Sequence, residues 1–215
     1  MNRRSLLALS MVAPVAATAG AWGLWNRLAP DGRDPDGDGL VRAGSPVLGK
    51  PDAPVTLVEF LDPACGSCRA FHVAARRVLL AHPGRLRLVL RYVAGHAASI
   101  GAVRILSAAH RQGRLALVLD ELLGRQAEWA AEGYPEPARA WELAAGTGLD
   151  LARARADAVA PEVNAALRDD AADALRLGLG PRPAVFIDGR RSAIPNALSL
   201  HALVDAEIDR LRRAS

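Results

Sequence analysis

The segment between Val55 and Val93 limits the possible folds more than any other part of the chain. The run Val55–Leu61 is apolar and rich in β-branched residues, which is typical of a buried strand. Apolar residues then recur at helical spacing until Pro83-Gly84 breaks the chain. The run Arg85–Val93 alternates with period two, which predicts a second strand with one solvent-facing side. This order predicts a parallel βαβ unit with a right-handed crossover.

The two cysteines of the chain, Cys65 and Cys68, lie three positions apart at the start of the predicted helix. Two cysteines are too few for a multi-disulfide scaffold or a four-cysteine zinc site. The thiolate is the nucleophile of disulfide exchange, and a helix start stabilises it with free N–H groups and a positive dipole end. We therefore predict a redox dithiol that can close to a disulfide. Cys65 would react with the substrate, and the inward-facing Cys68 would resolve the mixed disulfide.

An acidic residue, Glu59, stands in the otherwise apolar first strand, six residues before Cys65. One interpretation is a side chain that faces solvent. The other is a buried acid with a raised pKa that exchanges protons with Cys68. Its position in a strand that leads to the cysteines favours the second interpretation.

A pair of cysteines at this spacing also occurs in zinc sites and in copper-binding loops. The chain has no second cysteine pair. Its histidines show no metal-ligand spacing with Cys65 and Cys68; they are His72, His82, His96, His110 and His201. We therefore predict no metal site and no cofactor besides the redox-active disulfide Cys65–Cys68. A copper-handling or thiol-based binding module remains the alternative from another functional class.

The residues from about 97 to 177 are predicted to be helical throughout. Glycine and proline separate five helical segments, which lie near 97–111, 113–128, 136–145, 150–158 and 162–177. The β pattern then returns, with a short strand at Ala184–Ile187, a hairpin turn at Asp188-Gly189 and a second strand at Arg191–Ile194. A final helix is predicted at about Leu198–Arg213.

The first part of the chain, residues 1–25, is typical of a targeting segment. Arg3-Arg4 precedes an uncharged apolar stretch, and Ala17-Thr18-Ala19 fits a cleavage site. A cleaved signal peptide and an uncleaved membrane anchor both remain open. Either one would place the remaining chain in the periplasm or at the outer face of the inner membrane, where disulfides persist. Residues 26–48, rich in proline, glycine and aspartate, are predicted to be a linker.

The formal net charge of +4 raises the question of nucleic-acid binding. Lys50 is the only lysine, and the arginines are scattered along the helical stretches, which is typical of a solvated helical surface. Aromatic residues make up only 4% of the chain, too few for base stacking. We therefore expect no nucleic-acid partner.

Three segments together resemble the DsbA-like branch of the thioredoxin superfamily. They are Gly49–Thr56 (GKPDAPVT), Asp62–Phe71 (DPACGSCRAF) and Gly180–Gly189 (GPRPAVFIDG). The resemblance covers roughly residues 46–213. It implies an α/β protein with a thioredoxin fold, over residues 49–215, that carries an all-helical insertion at about 97–177.

The resemblance also assigns site residues. Pro183 matches the family's cis proline, which faces the cysteine pair and exposes the backbone of the preceding residue, here Arg182, to an extended substrate segment. Glu59 matches the family's acid six residues before the first cysteine. Arg182 stands where threonine or valine is common, and Gly66 and Ser67 replace the proline and histidine of DsbA itself. Arg182 is expected to change substrate preference and to add a positive charge beside the thiolates. Without an imidazolium donor at Gly66-Ser67, we expect weaker stabilisation of the thiolate than in DsbA itself.

The function implied is a periplasmic thiol–disulfide oxidoreductase that exchanges disulfides with extended segments of secreted or envelope proteins. A membrane redox partner would reoxidise or reduce its dithiol. The direction of electron flow follows the reduction potential relative to the compartment, so oxidase, reductase and isomerase all remain open.

Overall fold

The predicted strand–helix–strand unit is present at the centre of the molecule. The computed structural model describes residues 39–131, 134–180, 183–192 and 197–214, all within one unit that spans residues 33–215. Strand β1 is short, and β2, helix α1 and β3 follow it in the order expected. Their bounds are β1 Val47–Gly49, β2 Val55–Leu61, α1 Gly66–Ala81 and β3 Leu86–Tyr92.

The helical insertion follows β3, and its helices agree with the predicted segments to within a few residues. They are α2 Ser99–Arg111, α3 Leu115–Gly124, a short 3₁₀ helix Gln126–Glu128, α4 Pro137–Gly146, α5 Leu151–Asp157 and α6 Pro161–Arg176. One detail of the prediction is wrong. The insertion is not all-helical, because β4 (Ala130–Ala131) pairs with β5 (Tyr134–Pro135) in a small antiparallel ladder. These strands are too short to show a period in sequence.

The chain returns to the main sheet after the insertion. Strand β6 is Ala184–Ile187, β7 is Arg190–Ser192 and the last helix, α7, is Ala197–Ala214. The turn at Asp188 and Gly189 has positive φ angles of 45° and 78°, as the predicted hairpin requires.

The main sheet has five strands in the order β1-β3-β2-β6-β7. Strands β2 and β3 are parallel, with Val55 opposite Leu86, and the other neighbouring pairs are antiparallel. Gly49 ends β1 with a φ of 90°, and a Cβ there would lie 2.9 Å from the carbonyl oxygen of Leu86. This close approach of two backbones explains why glycine stands at that position.

The larger core lies on the face of the sheet against which α1, the insertion and α7 pack. It includes Leu57 of β2, Cys68 of α1 and Trp129 of the insertion. The other face carries a smaller cluster around Phe60 and Phe186, whose rings meet edge to face at 5.9 Å.

The prediction that β3 keeps one side in solvent is wrong. Arg91, on the side of β3 expected to face water, is only 1% exposed. Its guanidinium donates to Asp170 at 2.5 Å, to Asp173 at 2.6 Å and to the carbonyl oxygens of Gly39 and Leu40 at 2.7 and 2.9 Å. Buried arginine is tolerated when every donor has a partner. Helix α6 and the segment before β1 supply those partners.

The predicted linker, residues 26–48, ends earlier than expected. Leu40 is buried at 2% exposure, the carbonyls of residues 39 and 40 bind Arg91, and Val47 and Leu48 belong to β1. Proline and glycine content suggested a solvated tether here, but Leu40 packs in the smaller cluster on one face of the sheet and β1 is part of the sheet itself. None of the helices in the described ranges is both long and apolar enough to cross a membrane. The predicted targeting segment, residues 1–25, lies outside the described residues.

Candidate active site

The two cysteines lie at the junction of β2 and α1. Cys65 immediately precedes α1: its backbone is extended, with φ −87° and ψ 123°, and its carbonyl accepts from the N–H of Arg69 at 3.0 Å. The Cys65 side chain is half-buried and Cys68, one turn later, is fully buried in the larger core. Both are free thiols. This placement agrees with the sequence prediction, while the roles of the two cysteines in exchange stay predictions.

The surroundings of Cys65 favour its thiolate. Burial opposes ionisation, but the Ser67 hydroxyl, 3.1 Å from the Cys65 sulfur, and the N–H groups of Cys68 and Ser67 outweigh it. Together with the Cys68 thiol they lower the pKa of Cys65. The backbone donors are the free N–H groups of the first helical turn, which have no carbonyl partner within the helix.

The surroundings of Cys68 have the opposite effect. Burial raises the pKa of the Cys68 thiol well above its ordinary value, and the nearby Cys65 sulfur raises it further. Burial excludes water from around a sulfur anion, which therefore costs more free energy than the neutral thiol. The two thiols thus differ in both exposure and acidity.

Asp62 fixes the turn that leads to Cys65. Its buried carboxylate accepts hydrogen bonds from the N–H of Ala64 at 2.9 Å and of Gly95 at 2.9 Å. It also lies 2.5 Å from the Ser99 hydroxyl and 2.7 Å from Nδ1 of His96. These contacts tie the active-site turn to the segment between β3 and α2. The sequence did not suggest this role for Asp62, because Gly95, His96 and Ser99 lie beyond β3 in the chain.

Gln126, in the 3₁₀ helix of the insertion, reaches the cysteine turn from the other side. Its side-chain amide donates to the carbonyl oxygens of Pro63 at 2.7 Å and of Cys65 at 3.1 Å. It is only 7% exposed. The insertion therefore holds the backbone on both sides of the turn. No sequence motif marks Gln126, since the contact depends on how the insertion packs.

Glu59 is fully buried and faces the helix that carries the cysteines, so the solvent-facing interpretation is wrong, while its proton exchange with Cys68 stays a prediction. Its Oε2 lies 2.8 Å from Nδ1 of His72, which is one turn beyond Cys68 on the buried side of α1. Oε1 of Glu59 and Nε2 of His72 have no hydrogen-bond partner among the described residues. From the sequence, His72 was considered only among the possible metal ligands, and its pairing with Glu59 was not predicted.

The predicted substrate-facing residues lie partly within the described chain. Gly66 and Ser67 are exposed beside Cys65. Pro183 is half-buried and precedes Ala184, which pairs with Phe60 near the end of β2 that leads to the cysteines. Arg182 lies outside the described residues. The geometry of the Arg182–Pro183 bond therefore remains a prediction.

A family model described as thioredoxin matches residues 42–206, which is most of the chain. Among curated proteins, the Na(+)/H(+) antiporter NhaA of Herminiimonas arsenicoxydans is 35% identical over 149 residues, 67% of this chain. The match covers only 22% of that antiporter, so the chain corresponds to a minor part of the relative's length.

Two solved structures have the same architecture. A thioredoxin-like oxidoreductase from Silicibacter pomeroyi DSS-3 is 26% identical with a TM-score of 0.66, covering 85% of this chain and 99% of that one. The α-DsbA1 of Wolbachia pipientis has a TM-score of 0.69 at 14% identity, covering 82% of this chain and 97% of that one, a likeness of fold. The chain therefore belongs to the thioredoxin family and has the fold of the DsbA-like structures.

Proposed function

We propose that this protein donates the Cys65–Cys68 disulfide to secreted or envelope proteins outside the cytoplasm. The observation that carries the proposal is the difference between its two thiols. Cys65 is accessible with a lowered pKa, whereas Cys68 is buried with a raised pKa. A pair of this kind has one sulfur suited to meet a substrate and one suited to act within the protein.

The exchange would proceed in two steps that balance in atoms and electrons. A substrate thiolate attacks the sulfur of Cys65, a mixed disulfide forms, and Cys68 leaves and takes up a proton. A second thiolate of the substrate then attacks the substrate sulfur of the mixed disulfide, and Cys65 leaves as a thiolate. The substrate loses two electrons to the cysteine pair. The lowered pKa of Cys65 makes it a good leaving group in the second step.

The same pKa favours oxidation of the substrate over its reduction. An oxidant of this class is strong when its reduced form is stabilised, and hydrogen bonds to the Cys65 thiolate provide that stabilisation. The side-chain donor is a neutral hydroxyl, from Ser67, rather than a charged group. We therefore infer an oxidant of moderate strength.

The location and the partners of the protein follow from the same chemistry. Disulfides persist in the periplasm or at the outer face of the inner membrane, where the predicted signal or anchor over residues 1–25 would deliver the domain. Exposed Gly66 and Ser67, together with Pro183 and Arg182, would receive an extended segment of the substrate. Each turnover leaves the pair reduced, so a membrane redox partner must accept the two electrons.

The equilibrium of the purified protein with reduced and oxidised glutathione tests the direction. We expect a reduction potential of about −180 mV or higher, in the range of disulfide donors. A potential of about −270 mV, the range of reducing thioredoxins, would overturn the donor role and favour the reductase. Oxidation of a reduced, unfolded substrate should follow the same order. A Cys65→Ser variant, which lacks the first thiol, serves as the inactive control.

A further inference from the structure

A second cluster of reactive side chains lies at the opposite end of α1 from the cysteines. His82, the residue that follows α1, meets His201 and Asp205 of α7. One ligand atom from each residue lies within 4.8 Å of the other two. The two imidazole rings are 4.9 Å apart, centre to centre. His201 and Asp205 are four positions apart, so they share one face of the helix.

The hydrogen bonds of His82 orient its ring for a ligand. Nδ1 lies 2.8 Å from the carbonyl oxygen of Val78, which accepts only, so Nδ1 must carry the hydrogen. Histidines that bind metals commonly donate their other ring N–H to a carbonyl in this way. Nε2 then faces Oδ1 of Asp205 at 2.8 Å. An imidazole lone pair and a carboxylate oxygen at this distance require a positive charge between them, either a proton or a metal ion.

The distances in the cluster are compatible with a metal ion. Two ligand atoms bound to a tetrahedral zinc ion lie about 3.4 Å apart, given zinc–ligand distances near 2.1 Å. Nε2 of His201 lies 3.6 Å from Oδ2 of Asp205. Nε2 of His82 lies 2.8 Å from the other carboxylate oxygen, Oδ1, and this distance would increase slightly around an ion. The His82 side chain is 11% exposed, whereas those of His201 and Asp205 are about half exposed. This exposure leaves room for water as a fourth ligand.

We propose that His82, His201 and Asp205 form a binding site for a divalent transition-metal ion. Two imidazoles and one carboxylate suit Zn²⁺, Ni²⁺ or Cu²⁺, while Ca²⁺ and Mg²⁺ prefer oxygen ligands alone. The sequence prediction of no metal site failed to find this cluster, because His82 lies far from α7 in the chain. The ion would join the end of α1 to α7. A 16-residue helix spans about 24 Å, so the ion would act on stability and leave the cysteine chemistry unchanged.

Zinc titration of the untagged full chain tests the proposal. Cys65 and Cys68 are first oxidised to the disulfide, so that their thiols cannot bind the metal. We expect one Zn²⁺ per chain by calorimetry and a melting temperature that rises with Zn²⁺ and returns on addition of a chelator, because binding favours the folded state. Co²⁺ in place of Zn²⁺ should give visible absorption bands typical of nitrogen and oxygen ligands.

The variants His201→Ala and Asp205→Asn should each weaken Zn²⁺ binding at least tenfold. Both side chains are about half exposed, so the fold should survive, and the melting temperature without metal checks this. Asp209→Asn, one turn further along α7 and exposed, is the matched control and should bind Zn²⁺ like the unmodified chain. Equal affinity in all three variants would overturn the proposal. Failure to bind Zn²⁺ stoichiometrically would do the same, and would leave His82 and Asp205 as an ion pair only.

Discussion

Nδ1 of His72 lies 2.8 Å from Oε2 of Glu59, beneath the helix that carries both cysteines. Both side chains are almost completely buried, and each has a polar atom without a hydrogen-bond partner among the described residues. His72 is one turn beyond Cys68 on the same side of α1. For the proposed exchange, we predict that this pair accepts the proton that the Cys68 thiol loses.

Replacing Glu59 with glutamine should slow the deprotonation of Cys68. The amide keeps the size of the side chain but removes the base, and a general base commonly accelerates such a step by about 10²-fold. We expect the attack of Cys68 on a mixed disulfide at Cys65 to slow at least tenfold, with a changed pH profile. Stopped-flow kinetics on a preformed mixed disulfide measure it. Glu128→Gln, at an exposed site, is the control, and an unchanged profile for Glu59→Gln would exclude the relay.

Replacing Cys68 with alanine should trap mixed disulfides between Cys65 and the substrate. The buried thiol is the group that would release them, and the half-buried Cys65 is the more accessible of the two. Non-reducing electrophoresis with mass spectrometry identifies the linked cysteine. Cys65→Ala should trap far less, because Cys68 is fully buried. Trapping that is equal in the two variants would contradict the assigned roles.

Replacing Ser67 with alanine should raise the pKa of Cys65. The hydroxyl lies 3.1 Å from the sulfur and stabilises the thiolate. A hydrogen bond to a charged group is worth about 1.5 kcal/mol, which corresponds to a rise of about one pKa unit. The ultraviolet absorbance of the thiolate, followed against pH, measures it. The reduction potential should fall in parallel, since the reduced form is less stabilised; a pKa that stays constant would assign the lowered value to the backbone donors alone.

Replacing Gln126 with alanine should destabilise the protein and loosen the cysteine turn. The variant leaves the carbonyl oxygens of Pro63 and Cys65 without this donor, which costs about 1–3 kcal/mol. Chemical denaturation gives the free energy of unfolding. Gln112→Ala is the matched control, because Gln112 bonds Asp150 at the surface and its loss should cost under about 0.5 kcal/mol. Equal losses in the two variants would show that Gln126 does not hold the turn.

Replacing Asp173 with asparagine should remove part of the acid sensitivity of the fold. The Arg42 guanidinium, against the effect of burial and with the help of Arg91, lowers the pKa of Asp173 from 3.8 to about 2. A carboxyl group whose pKa is lowered on folding stabilises the folded state at pH values above its ordinary pKa. This stabilisation is lost as the pH falls from about 4 to about 2. The free energy of unfolding of the unmodified chain should exceed that of the variant by about 2 kcal/mol at neutral pH. This gap should narrow as the pH falls from about 4 to about 2.

Urea unfolding at several pH values measures the gap. Burial raises the pKa of Asp170 in spite of Arg91, and the charge of Asp173 raises it further, so the Asp173→Asn variant should also relieve part of that rise. Asp120→Asn, at a half-exposed ion pair, is the control. A gap that does not change with pH would show that Asp173 is not the titrating group.

Arg91, the buried arginine of β3, shows what a sequence pattern can predict and what it cannot. Alternation in Arg85–Val93 correctly predicted a strand, because period two follows from the backbone alone. The same alternation predicted that Arg91 faces water, and this was wrong. Its partners, Asp170 and Asp173, come from the end of the insertion, and only packing brings them against the sheet.

The features of the active site also fall into two groups, those that the sequence predicts and those that tertiary packing decides. The sequence by itself determined the βαβ unit, the position of Cys65 at the start of α1 and the inward direction of Cys68, because each depends on residues close together in the chain. Only the tertiary structure decided that His72 meets Glu59, that Gln126 and Asp62 hold the cysteine turn, and that His82 meets α7. Those contacts join segments far apart in sequence, and such contacts depend on how helices pack on the sheet rather than on local periodicity.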